Sequence, residues 1–170
     1  LSGNSMTVDL DQIGTGNTLA ATVAQANSSS FTLRSTGDTN VSSLTIGGTG
    51  DTAGSDFDLA ETGDSNALTF VQGAAATATS GNTDLVITGT SNDLNITSEV
   101  VGATIDIEID GSSNDLDSRM TGNANSSLKL DLTGSSNNID VDQTNASGSI
   151  SGIVDVVAVT TSGIIDIDQN

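Results

Sequence analysis

The side chains in this sequence that could do chemistry are almost all carboxylates. Asp and Glu number 22, against three basic residues, Arg34, Arg119 and Lys129. There is no His and no Cys, so the commonest general base, the commonest metal ligand and thiolate chemistry are all missing. Acid–base catalysis would need two carboxylates converging on one bond. Here they recur at alternate positions instead, as in Asp9 and Asp11, Asp106 and Glu108, Asp140 and Asp142. That spacing places them on one solvated face and gives no cleft. We therefore expect no enzyme. A net charge of −19 opposes nucleic acid and anionic membranes alike. No apolar run reaches transmembrane length, so membrane insertion is not expected.

Alternation of this kind calls for strands, and the strands are set by a repeated turn. Its form is Gly-x-x-Asn, usually preceded by Thr. The pairs are Gly14 and Asn17, Gly37 and Asn40, Gly63 and Asn66, Gly89 and Asn92, Gly111 and Asn114, and Gly134 and Asn137. Successive glycines lie 23, 26, 26, 22 and 23 residues apart, a period that marks a repeat architecture. Gly and Asn both tolerate positive φ, which suits them to bending a chain. The asparagines have a second reading, as a stacked amide ladder.

Positions two, four and six residues before each glycine share one face of a strand. They are mostly apolar: Val8, Leu10, Gln12 in the first repeat, Leu128, Leu130, Leu132 in the sixth. A second strand follows each Asn, beginning with Leu19, Ala21, Val23 and ending with Ile139, Val141, Gln143. Glu61 is the one carboxylate at an inward position, expected where the core opens to water. A seventh unit carries a shortened turn, Thr161-Ser162-Gly163, with Val157, Val159 and Thr161 inward before it and Ile165, Ile167 and Gln169 after it. Absence of Pro fits strands that must all donate to ladders. The sequence thus predicts an all-β fold. It is a β-solenoid of about seven strand–arc–strand rungs with two parallel, in-register sheets, forming one domain over residues 1–170. The repeats fall near 6–28, 29–54, 55–80, 81–102, 103–125, 126–154 and 155–170.

Inward polar residues carry a resemblance. Gln12 stands two before its glycine; Gln72, Gln143 and Gln169 end second strands; Ser29, Ser55 and Ser126 stand eight before theirs. This resembles the curlin repeat, Ser-x5-Gln-x-Gly-x-x-Asn-x-Ala-x3-Gln. The best local match is Asp11-Gln12-Ile13-Gly14-Thr15-Gly16-Asn17. Over about 6–170 the Gly and Asn are kept, while Gln is mostly replaced and the Ala position is mostly Leu or Ile. The resemblance implies a secreted β-solenoid that polymerises into an amyloid-like fibre of a biofilm matrix or adhesive surface. Secretion or nucleator partners would belong to that system, and nothing in the sequence identifies them.

Polymerisation would join the first rung to the last, since neither end carries a helix, a Pro or an inward charge. Val8, Leu10, Gln12, Leu19, Ala21 and Val23 would then meet Val157, Val159, Thr161, Ile165, Ile167 and Gln169, with no like-charge pair between them. The result is a head-to-tail homopolymer. A rival reading is a monomeric binding module, ice-binding or an adhesin stalk, although outward Thr residues are scattered. No cofactor is expected, with weakly held calcium the one candidate. Asp117, Asp140 and Asp166 would fall in one outward column, Asp142 and Asp168 in the next, and oxygen-seeking cations would relieve their repulsion. Gly47-Gly48-Thr49-Gly50-Asp51 also resembles part of a calcium-binding β-roll repeat.

Overall fold

The computed structural model describes residues 1–46, 54–73, 81–99, 102, 104–122, 127–145 and 153–169. All regular structure among them is β. One sheet is built from β2 (Thr7–Ile13), β5 (Ser30–Thr36), β7 (Asp56–Thr62), β9 (Asn82–Thr88), β11 (Thr104–Asp110), β13 (Ser127–Ser135) and β15 (Ile153–Thr161). The other is built from β3 (Thr18–Val23), β6 (Val41–Ile46), β8 (Ala67–Gln72), β10 (Asp93–Ser98), β12 (Asp115–Gly122), β14 (Asn138–Asn145) and β16 (Ile164–Gln169). Both are seven-stranded, parallel and ordered as the chain runs. Each rung is therefore one strand from each sheet. At about 4.8 Å per rung the stack is about 34 Å tall.

Register follows the repeat. Val8 stacks under Phe31 and Phe31 under Phe57; Leu10, Leu33, Leu59 and Leu85 continue one column. Facing columns from the other sheet, such as Leu44, Phe70 and Ile96, close the core. A single rung has no interior. Only a rung with neighbours above and below removes its apolar face from water, so burial is complete in the middle of the stack and partial at Val8, Leu10, Leu19 and Ala21.

The seventh rung corrects the sequence frame. Leu128, Leu130 and Leu132 pair with Val154, Val156 and Ala158, so those are the inward residues of β15. Val157 and Val159 point outward, at 54% and 69% exposure, and Thr161 pairs with Ser135 in the turn. The turn is not shortened. Thr160 occupies the glycine position and Gly163 the asparagine position, with Ile164 N–H bonding Asn137 C=O at 2.9 Å. The strand starts at Ile153, so the last repeat begins about two residues before the expected boundary at 155. A second correction lies at the other end. Ser2–Asn4 (β1) pairs with Gln25–Asn27 (β4), adding a partial rung beneath the first second arc. The Gly47–Asp51 segment and Ser126 lie outside the described residues.

Candidate assembly edges and the ladders that lead to them

The turn columns are fixed by space and by hydrogen bonds. A Cβ built on Gly37, Gly63, Gly89, Gly111 or Gly134 would overlap the carbonyl oxygen of the glycine one rung below. Gly111 needs no positive φ, so for it the requirement is close approach alone. Positive φ elsewhere in the turn falls on the residue before each Asn: Thr39, Ser65, Ser91, Ser113 and Ser136. The asparagines are thus not the bend residues. They form the ladder instead, with each Asn side chain accepting the N–H of the Asn below it. Asn17 N–H meets Asn40 Oδ1 at 3.1 Å, Asn40 meets Asn66 at 2.8 Å, and Asn66 meets Asn92 at 2.9 Å. The series ends with Asn92 on Asn114 at 3.0 Å and Asn114 on Asn137 at 2.9 Å. It stops there because Gly163 has no side chain to offer Asn137. Asn40, Asn66, Asn92, Asn114 and Asn137 are buried, so each bond is made out of water and its loss would strand an N–H.

Two shorter ladders serve the rest of the rung. Met6 N–H bonds Ser29 Oγ at 3.0 Å and Ser29 N–H bonds Ser55 Oγ at 3.3 Å. Inward glutamines bond across the core or along it. Gln12 Oε1 accepts from Ser42 Oγ at 2.9 Å, Gln72 Oε1 from Thr83 Oγ1 at 3.3 Å, and Gln143 Oε1 from Gln169 Nε2 at 2.9 Å. Ile87, Ile109 and Leu132 continue the Gln12 column with apolar packing in place of such bonds.

Acidic columns run up both outer faces. Asp117, Asp140 and Asp166 pair in succession, as do Arg119, Asp142 and Asp168. Asp140 is held above the ordinary carboxylate range by partial desolvation and by Asp142, Asp117, Asp166 and Asp168. Asp84, between Asp58 and Asp106, is raised for the same reasons. Besides Arg119, two bases interrupt the acids: Arg34 bonds Asp9 at 2.8 Å and Asp11 at 2.9 Å, and Lys129 bonds Asp131 at 2.6 Å and Asp106 at 3.3 Å. Among the described residues no three acidic side chains converge to hold a metal ion. The columns are rows of like charge.

The two end rungs differ from every other. Among the described residues no strand pairs above β15 and β16; that rung turns Val154, Val156, Ile165 and Ile167 toward the core, and outward it carries Ile153, Val157, Val159 and Ile164 beside Asp155, Asp166 and Asp168. Below, β2 is uncovered, presenting Val8, Leu10 and Gln12. β3 is covered at one end only. Leu1 N–H bonds Thr22 C=O at 2.9 Å and Ala24 N–H bonds Leu1 C=O at 2.8 Å, so Leu1 lies beneath Val23. Sequence reasoning missed Val154, Val156 and Ala158 as edge residues, and it missed β1. No helix of the described residues is long and apolar enough to cross a membrane. No family model, curated protein or solved structure matches the chain.

Proposed function

We propose that the chain is the structural subunit of an extracellular, amyloid-like fibre that grows head to tail. The observation that carries this reading is that, among the described residues, β2 at one end of one continuous register and β15 and β16 at the other pair with no further strand. Open strand edges template further pairing, and a contact between two different surfaces of the same molecule does not close on itself. Set below β2, a second copy's β15 brings Val154, Val156 and Ala158 under Val8, Leu10 and Gln12. Its β16 brings Ile165 and Ile167 under Leu19 and Ala21, and stops near Thr22, where Leu1 already holds the position that Gln169 would take. Outward, Val159 meets Ile13, so the two exposed apolar ends of that column cover each other. One like-charge pair arises, Asp155 with Asp9, and Arg34, which bonds both Asp9 and Asp11, offsets part of it. The resemblance to curlin repeats supports secretion and a matrix or adhesive role.

A second reading, a monomeric binding module, draws on Leu1–Asn4, which blunts part of the lower edge. Electron microscopy with a folding control separates the two. The wild type is expected to form unbranched filaments. Ile167→Lys is expected to keep its β circular dichroism and sedimentation as a monomer while forming none. A wild type that stays monomeric at all concentrations, or filaments that persist in Ile167→Lys, would overturn the proposal.

A further inference from the structure

Glu61 is the one buried residue with an ionisable carboxyl among the described residues, and its side chain points into the core at 2% exposure. It stands in the column Gln12, Ser35, Glu61, Ile87. Neither carboxyl oxygen has a hydrogen-bond partner in the protein. Beside it is a cavity of about 10 Å³ lined by Leu33, Ser35, Ser42, Leu59, Ala60 and Leu68. That is the lower limit for one water. The elements packed around the carboxyl bring no charge to it: Ser35 of β5 lies below, Ile87 of β9 above, and Ser42 of β6 and Leu68 of β8 line the cavity with it. Arg34 is on the outer face, bonded to Asp9 and Asp11.

An ionised carboxylate here would be buried without a counter-charge, whereas a neutral carboxyl asks only for hydrogen bonds. We infer that Glu61 and its cavity form an internal proton-binding site, and that the solenoid is most stable with Glu61 protonated. Ser35 and Ser42 suit this role, since their hydroxyls can accept from a carboxylic acid while donating to Gln12 Oε1.

The direction of the pH effect follows from burial, which lifts the group from 4.5 to about 7 in the folded chain. Below 4.5 both folded and unfolded chains carry the proton and the site has no pH effect. Between 4.5 and about 7 the unfolded chain releases it and the folded chain keeps it, so stability falls as pH rises. Above that window the loss is constant. The unfolding equilibrium constant is expected to rise on the order of a hundredfold across it.

The chain holds three glutamates, Glu61, Glu99 and Glu108, so labelling glutamate with 13C at the carboxyl gives three signals. Glu99→Gln and Glu108→Gln, both at exposed positions, assign them by elimination. We expect the Glu61 signal to titrate near neutrality. We also expect Glu61→Gln to flatten most of the fall in stability between pH 4.5 and about 7. A Glu61 signal titrating in the ordinary carboxylate range would overturn the inference. So would an unchanged pH slope in Glu61→Gln. If that variant does not fold, the wild-type titration decides alone.

Discussion

Rungs six and seven follow the same path, in register, one directly above the other. Val141 and Ile167 occupy one column, yet the first is 0% exposed and the second 37%. Outward, rung six carries Lys129, Asp131 and Thr133 where rung seven carries Asp155, Val157 and Val159. Burial in this fold is therefore not a property of a rung. It is given by the neighbouring rungs, and among the described residues rung seven has none above it. Exposed Val157 and Val159 beside Asp155 give the outer face of β15 an apolar stretch that rung six lacks.

The largest effects should come from breaking that contrast inside the core. Val141→Asp and Ile107→Asp each place a charge between two sheets and should cost several kcal/mol, on the order of a buried unpaired group. Ile167→Asp should cost the isolated subunit far less, because water already reaches it. Chemical denaturation of the three variants measures this. Equal losses at 141 and 167 would mean that rung seven is packed like the rest.

The ladder should show a smaller contrast. Asn92→Ala removes the acceptor of Asn66 N–H and should cost about 1–3 kcal/mol. Rung seven lacks its own ladder residue, so Thr160→Gly with Gly163→Asn restores the missing Gly-x-x-Asn turn. It should raise stability by about 1 kcal/mol, the net worth of one such bond. Thermal unfolding of both variants checks the pair, and a destabilised restoration would show that the last turn is already at its own optimum.

The smallest effects belong to the acidic columns. Asp84→Asn, which removes one of three stacked carboxylates, should stabilise by no more than about 0.5 kcal/mol. Sodium and calcium chloride at equal ionic strength should raise the melting temperature alike, as screening requires. A selective gain with calcium would point to a cation site that the described residues do not assemble.

Much of this was legible in the sequence because it is forced by sterics. A glycine under a glycine carbonyl and an asparagine bonding the next one leave the same residues at the same spacing in six turns. Alternation then sets the inward face, provided that one face is polar. That condition fails over Ile153–Val159, where Val154, Val156, Val157 and Val159 place apolar residues on both parities. With Thr160 in the glycine position and Gly163 in the asparagine position, the turn offers no correction, and taking Gly163 as the turn glycine shifts the frame by three residues, an odd number that swaps the two faces. Ser2–Asn4 is too short and polar to announce a strand, and its partner sits in an arc. Glu61 was legible as inward. Its burial was not, because only the stacked neighbours and Ser42 across the core enclose it.

The junction itself can be read most directly by cross-linking, since the chain has no native Cys. Ile13→Cys with Val159→Cys places one thiol at each end of the same outward column. Strands stacked at about 4.8 Å bring such a pair within disulfide range. Oxidised filaments of the double variant should run on a denaturing gel as a ladder of covalent multimers. Thr36→Cys with Val159→Cys, one rung out of step, should give none. Filaments of the Ile13/Val159 variant that dissociate to monomers, or an equal ladder from the mismatched pair, would contradict head-to-tail continuation of the solenoid.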